Sequence, residues 1–379
     1  MKIAVIGPVP PFRSGVAKHT GELAKALSAH GEVRTISFSR QYPGLLFPGE
    51  DDRDLKTRRD APDETEYELD SISPISWRRV AADLAEWKPD LAVLPAWTFF
   101  TAPGLTFISN ALRKAGCHVV SVVHNAADHE GAGWKRALLS RQILASDSAV
   151  THNRGLAGAI ASFAPDLPVA VCPHPLFNFP EPKGLLRRRA KLELLMFGLI
   201  RPYKGADLLV EAMDELAGED VCVSIVGEMW GDGAALSRQL AASPASEQIE
   251  LVPEFQSDEY AAEYFSRADI VVLPYRHVTG SGVVPVAMRY ARPVIASDLP
   301  GFREMVVPGV TGWLSRPQEA GHLAGIIRDR LEHGDAGALQ PGLARARDRL
   351  TWPRFAKAVL VSDRAPSAQT YADRAAAVA

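Results

Sequence analysis

Arg201 and Lys204 stand three positions apart in LLMFGLIRPYKGADLLVEAMDEL, residues 194–216, where an apolar run ends at Phe197, Gly198 frees the backbone and a helical pattern starts near Asp207. Two cations in a strand-to-helix loop can hold an anion or can be solvated surface charges. The balance shifts toward an anion when a second anion-binding element lies opposite. TGSGVVPVAMRYARPVIASD, residues 279–298, supplies such an element. Pro285 is tolerated in the first turn of a helix, whose N–H groups have no intrahelical acceptor, so it dates the helix start. The N–H groups of Gly282, Val283 and Val284 then carry the positive end of the helix dipole, and the hydroxyls of Thr279 and Ser281 add donors. Arg201 and Lys204 would close this seat and neutralise a diphosphate without Mg²⁺.

Other strand ends carry further candidates. GPVPPFRSGVAKHTGELAKAL leaves a strand at Gly7 and enters a helix near Gly15. The loop is longer than the GxGxxG turn that binds a dinucleotide and is stiffened by Pro8, Pro10 and Pro11, which argues against a Rossmann dehydrogenase. Its Ser14-Gly15-Val16 start offers N–H groups to an anionic or hydroxyl-rich ligand, or is an ordinary strand-to-helix loop. His124 ends the strand of VVHNAADHE, where it can donate to a sugar hydroxyl or be a structural histidine satisfied by backbone. Asp128, His129 and Glu130 lie close by, but the spacing does not match a helical HExxH, so no metal site is expected. Glu304, in DLPGFRE, either accepts from a sugar hydroxyl or caps the following helix.

These loops need a scaffold, and the chain supplies short apolar runs alternating with amphipathic stretches, as parallel strands and crossover helices do. The strands expected are KIAVIG, VRTISF, LAVLPA, HVVSVVH and SAVTH, then LELLMFG, VCVSIVG, IELVPE, DIVVLPY and PVIAS. The fold class is α/β, with two Rossmann-like doubly wound domains facing across a cleft: 379 residues at 47% hydrophobic are too many for one ordinary core and enough for two. The expected division is an N-terminal domain over 1–176, a proline-rich linker over 177–190 and a C-terminal domain over 191–345. A final helix is expected over 346–364, before a flexible tail over 365–379. The charged stretch 47–70 reads as a long surface loop.

A net charge of −3 gives no general attraction to nucleic acid, and no apolar run is long enough to span a bilayer. The start, MKIAVIGPVP, reads as a strand with no secretion signal, and the scattered Cys117, Cys172 and Cys222 read as reduced core thiols. A cytoplasmic location is therefore expected. Peripheral contact at the inner membrane face is open through WKRALLSR, residues 134–141, which suits a lipid surface or the core of its own domain.

The blocks FGLIRPYKGADLLVEAM and ADIVVLPYRHVTGSGVVPVAMRYARPVIASDLPGFREMV, with GPVPPFRSGV and VVHNAADHE before them, resemble the retaining GT-B glycosyltransferases of family 4. The resemblance covers nearly the whole chain and implies that the final helix, over 346–364, crosses back to the first domain. It implies a nucleoside diphosphate sugar donor held mainly by the C-terminal domain and a carbohydrate or lipid-linked acceptor held by the N-terminal one. It places Arg201 and Lys204 on the donor diphosphate, Ser281-Gly282-Val283 on the distal phosphate, Gly15 near the donor and His124 by the transferred sugar. Many members carry two glutamates eight positions apart where this chain has Val278 and Val286, neither of which can accept a hydrogen bond. Ribose contacts then come from elsewhere, and Glu228 in VSIVGEMW is either such a contact or a solvated loop carboxylate.

The activity so implied is retaining hexosyl transfer (EC 2.4 class), in glycan, polysaccharide or glycolipid biosynthesis, with no cofactor and no metal. Preorganised cations and N–H groups would stabilise the departing diphosphate. No carboxylate is placed as a nucleophile, which favours front-face departure and attack over a covalent double displacement. The alternative is a catalytically inactive GT-B subunit that binds nucleotide and serves as a partner.

Overall fold

The computed structural model describes residues 1–42, 52–125, 133–230 and 233–376. Asp128, His129, Glu130 and part of the 47–70 stretch lie outside them. The chain divides into two compact units, Leu176–Leu350 forming one and Met1–Pro175 with Thr351 onward forming the other.

The N-terminal unit runs β1 (Lys2–Ile6), α1 (Gly15–Leu27), β2 (Glu32–Arg40), β3 (Glu66–Asp70), α2 (Pro74–Trp87), β4 (Leu91–Ala96), α3 (Ala102–Lys114), β5 (His118–Val123), α4 (Gly133–Leu144), β6 (Ser148–Thr151), α5 (Arg154–Ala161) and β7 (Val169–Val171). Its seven strands lie in the order β3-β2-β1-β4-β5-β6-β7, all parallel. Both faces of the sheet are covered, and its central strand β4 is apolar and buried at every position. Ile3 and Val5 of β1 pack with Leu23 and Leu27 of α1, while Ala4 and Ile6 face the opposite layer with Leu84 of α2 and Leu105 of α3.

The C-terminal unit runs β8 (Leu192–Phe197), α6 (Ala206–Asp214), β9 (Val221–Val226), α7 (Gly233–Ala242), β10 (Ile249–Val252), α8 (Asp258–Arg267), β11 (Ile270–Leu273), α9 (Val283–Arg289), β12 (Val294–Ser297), α10 (Pro300–Arg303), β13 (Gly312–Ser315), α11 (Ala320–His333) and α12 (Gln340–Arg349). Its six parallel strands lie in the order β10-β9-β8-β11-β12-β13. The direction of winding reverses between β8 and β11, and ligands of open α/β sheets bind beyond the strand ends at such a reversal. The loops leaving β8 and β11 are the ones that carry Arg201, Lys204 and residues 279–283.

After the C-terminal unit the chain returns to the first through α13 (Trp352–Leu360) and α14 (Ala368–Ala376). Phe355, Ala356 and Val359 of α13 are fully buried in the layer that holds α1 and one face of β1.

Several expectations change. Residues 177–190 are no free linker. Phe177 and Phe179 are buried, Glu181 pairs with Arg289 at 2.8 Å, and Arg188 grips Asp269 through two hydrogen bonds of 3.0 and 2.6 Å. The helix expected over 346–364 is broken at Leu350 and Thr351: α12 belongs to the C-terminal unit and α13 to the N-terminal one. The tail expected over 365–379 contains α14, which packs on α5 and buries Ala368 completely. The charged 47–70 stretch contains a short 3-10 helix, Leu55–Asp60, and the edge strand β3, whose Glu66 pairs with Arg34 of β2 at 2.8 Å. The three cysteines are reduced and buried as expected.

Candidate functional site

The loop after β8 holds its shape through two close approaches. Gly198 has φ +97°, and a Cβ there would stand 3.2 Å from Lys204 Nζ and 3.6 Å from Val283 Cγ2, so the lysine tip and the start of α9 meet at this glycine. Residues 202–204 form one 3-10 turn closed by Gly205 at φ +73°. A Cβ on Gly205 would lie 2.2 Å from the Pro274 carbonyl oxygen, so only glycine lets the β8 and β11 loops come this close.

Arg276 stitches the same loops together. Its N–H donates to the Tyr203 carbonyl at 2.7 Å, and its guanidinium donates to the Pro202 carbonyl at 2.7 Å and to both Asp207 oxygens at 2.9 and 2.6 Å. On the other side, Ile200 donates to the Glu228 carbonyl and Trp230 to the Ile200 carbonyl, each at 2.9 Å. The loop carrying Arg201 and Lys204 is thus bonded on both flanks.

Within this frame Lys204 is 8% exposed and its ammonium lies 5.5 Å from the Tyr275 ring centre, while the Arg201 guanidinium stands 4.4 Å from the Trp230 ring centre. Neither cation has a carboxylate partner among the described residues. Burial, followed by the nearby Arg201 charge, lowers the Lys204 pKa to about 8. Burial and neighbouring Tyr203 hold the Tyr275 phenol above its usual range, against an opposing hydrogen bond from Ser281. A buried ammonium beside a second cation favours a negatively charged ligand, and a diphosphate is the natural match for an Arg and a Lys on one loop.

The helix-start reading needs revision. Ser281 is 9% exposed and its hydroxyl accepts the Val283 N–H at 3.2 Å, so that amide is already engaged. Helix α9 has only seven residues, which leaves its dipole a secondary contribution. Gly282 is exposed and Thr279 half-buried in the same loop. Gly301, in α10 beyond the next strand, would place a Cβ 2.9 Å from the Val278 carbonyl oxygen, so the segment ending at Glu304 packs against the loop bearing Thr279. Glu304 is exposed at the C-terminal end of α10 and no helix starts after it, so the capping reading fails. Glu228 is half-buried beside Ile200, and Val286 is buried within α9.

In the N-terminal unit Gly15 opens α1 with open space at its Cβ position, and Ser14 caps the helix by accepting the Ala17 N–H at 3.0 Å. The ring of His124 is not satisfied by backbone, so the structural expectation does not hold for it. Its backbone N–H donates to the Ala96 carbonyl at 2.9 Å, but its ring Nδ1 faces Nε2 of His152 at 3.3 Å. Burial, then His174, pushes its pKa down to about 3. His19, His152, His174, Trp230, Tyr275, Arg276 and Asp207 were not singled out from the sequence. An arginine two residues beyond Pro274, and aromatic residues at strand ends, resemble ordinary surface and core residues until the loops are assembled. Trp134 is 57% exposed at the start of α4, with Lys135 4.8 Å from the Phe99 ring centre. No helix among the described residues is long and apolar enough to cross a membrane.

Comparison with known proteins agrees with this geometry. Residues 191–333, all within the C-terminal unit, match the family model described as glycosyl transferases group 1. A GDP-mannose:glycolipid 4-beta-D-mannosyltransferase of Xanthomonas campestris pv. campestris is 28% identical over 252 residues, 64% of this chain and 67% of that protein. A D-inositol 3-phosphate glycosyltransferase of Geodermatophilus obscurus is 29% identical over 171 residues, 42% of this chain and only 37% of its own length. Among solved structures, Anabaena Alr3699/HepE in complex with UDP aligns over 100% of both chains with a TM-score of 0.69 at 17% identity. Sucrose-phosphate synthase from Thermosynechococcus elongatus does so with a TM-score of 0.70 at 19% identity. The two sheets and these neighbours agree on a pair of Rossmann-like domains of GT-B type, and the sequence matches support a glycosyltransferase.

Proposed function

We propose that the protein transfers a hexosyl group from a nucleoside diphosphate sugar to an acceptor hydroxyl during assembly of a glycan, polysaccharide or glycolipid. The observation that carries this reading is the pair Lys204 and Arg201, two cations without a carboxylate partner among the described residues, set against Gly198 and the start of α9 where the sheet reverses its winding. Charge that grows on the diphosphate as the glycosidic bond breaks falls where these groups already stand, so they stabilise the transition state more than the bound donor. A diphosphate met by two side-chain cations needs no divalent ion to balance it.

Glu228, Thr279, Ser281, Gly282, Val283 and Glu304 are assigned to the remainder of the donor, and Gly15 and His124 to its sugar side on the strength of the family resemblance. The names of the relatives support a nucleotide sugar and an acceptor that includes glycolipids. An exposed Trp134 beside Lys135 suits peripheral contact with a lipid surface.

Retention of configuration is our reading of the stereochemistry. It rests on the resemblance and on the lack, among the described residues, of a carboxylate placed as a nucleophile. The mannosyltransferase relative is named for a beta-linked product, so the product anomer is the decisive measurement. A panel of nucleotide sugars that includes GDP-mannose and UDP-glucose, with mass detection of released nucleoside diphosphate, tests the activity. Proton NMR of the product tests the stereochemistry. Release from one donor supports the reading, tight nucleotide binding with no release from any donor supports an inactive binding subunit, and an inverted anomer overturns retention.

A further inference from the structure

Four imidazoles converge in the N-terminal unit, His19 buried and the other three half-buried. His19 lies on α1, His124 just beyond β5, His152 just beyond β6 and His174 three residues beyond β7. Ring centres are 4.8 Å apart for His19 and His124, 5.0 Å for His19 and His152, 5.0 Å for His19 and His174, and 4.8 Å for His152 and His174. The side of the cluster toward α13 is walled by Phe355, which stacks on His152 at 5.4 Å, and by Trp352, whose ring centre lies 5.0 Å from that of His19.

Aromatic stacking alone does not explain four histidines at such a place, because their nitrogens are poorly served. His19 is 1% exposed and its Nε2 has no hydrogen-bond partner among the described residues, and the same holds for His124 Nε2 and His152 Nδ1. A buried nitrogen left so is costly, and phenylalanine at these positions would avoid that cost. Groups of this kind call for an explanation, and a bound ion is one.

We propose that His19, His152 and His174 form a binding site for a divalent first-row transition metal of the zinc type, with His124 as the outer partner of His152. One ring nitrogen from each of the three lies within 4.8 Å of the other two. Zinc–nitrogen bonds of about 2.0–2.1 Å in tetrahedral geometry put such nitrogens roughly 3.4 Å apart, so side-chain rotations of under about 1.5 Å complete the site. The tautomers are compatible. His174 Nδ1 donates to the Pro175 carbonyl at 2.7 Å, which leaves its lone pair on Nε2. His152 can donate from Nε2 to His124 Nδ1 at 3.3 Å, which leaves its own lone pair on Nδ1, the usual arrangement of a metal-bound histidine and its supporting acceptor. Burial of the rings keeps them neutral, the form that binds metal. Three imidazoles and no carboxylate select zinc, copper, nickel or cobalt over magnesium or calcium. This site is separate from the diphosphate seat of the C-terminal unit and revises the expectation of a metal-free chain. The bound ion would fasten α1 to the chain beyond β6 and β7.

The test uses the full chain stripped with chelator and titrated with Zn²⁺ against a chromophoric competitor, and with Co²⁺ followed by visible absorption. We expect one equivalent of Zn²⁺, an intense tetrahedral Co²⁺ spectrum and a raised unfolding temperature. His19→Phe, His152→Phe and His174→Gln should each weaken Zn²⁺ binding at least about 100-fold, whereas the surface double variant His30→Ala with His333→Ala leaves it unchanged. No stoichiometric uptake, uptake equal in the three core variants, or a weak octahedral Co²⁺ spectrum would overturn the proposal. The Co²⁺ measurement on the unsubstituted chain decides the matter even where a core variant fails to fold.

Discussion

Arg276 holds Asp207 with both arms of its guanidinium, at 2.9 and 2.6 Å, and with one of those arms holds the carbonyl of Pro202 at 2.7 Å. The ion pair therefore fixes the turn that presents Lys204. Both side chains are partly exposed, at 32% and 43%, so Arg276→Ala should lower stability by no more than about 1 kcal/mol. Loss of loop order should raise the donor KM and lower turnover about tenfold, since displacement of a positioning group costs rate far more than stability. Steady-state kinetics beside a thermal melt check this, and Asp207→Asn should behave alike.

Arg201→Ala and Lys204→Ala should each reduce turnover at least about a hundredfold, the usual loss when one preorganised donor to a developing anion is removed. Circular dichroism should show an unchanged fold. Near-normal turnover in both variants would refute the assignment of the diphosphate seat.

With Lys204 lowered to about 8, its ammonium is largely present at pH 7 and is lost as pH rises through that value. The kcat/KM for the donor should accordingly fall above about pH 8, and Lys204→Arg should carry the plateau to higher pH. Stability runs in the opposite direction. The folded chain sheds this proton before the unfolded chain does, so the unliganded protein should gain stability between about pH 8 and the ordinary lysine value of 10.5. Lys204→Met should abolish that gain and, at pH 7, stabilise the unliganded fold by up to about 3 kcal/mol while donor binding is lost. Chemical denaturation at pH 7 and pH 9.5 measures both effects.

Gly198→Ala meets a backbone at φ +97° and a Cβ position 3.2 Å from Lys204 Nζ. About 1–3 kcal/mol of stability should be lost to the strain, and the displaced lysine should raise the donor KM. Gly205→Ala is more severe. Its Cβ would lie 2.2 Å from the Pro274 carbonyl oxygen, and backbone cannot yield as a side-chain tip does, so soluble expression should fall sharply.

Central strands were legible because they are apolar or nearly so along their length, as LAVLPA and IVVL show. Those that escaped are short or lie at an edge. Residues 66–70 of β3 read EYELD and have charged neighbours, residues 169–171 of β7 are three, and GWLS of β13 is bounded by loops. The placement of Arg201, Lys204, Ser281 and Gly282 in the loops after β8 and β11 was legible because the apolar runs before them mark the strand ends. Arg276 and Tyr275 were not, since their part depends on which loops lie side by side, and sheet order is not written in local pattern. His19, His152 and His174 were missed for the same reason: positions spread from 19 to 174 meet one another and His124 only once β1, β5, β6 and β7 are aligned. The engagement of Val283 by Ser281 also lay beyond the sequence, because a hydroxyl that can donate outward can equally turn inward.

Phe355 and Val359 complete a layer begun by Ile3 and Leu23, with the whole C-terminal unit encoded between them. A ribosome emits that contiguous unit in one piece, so it can mature while translation continues, whereas the earlier-made sheet must wait, one side bare, for the helix that seals it. Biosynthesis should thus invert the order of the message, with the half made first reaching its native state last and depending meanwhile on chaperones.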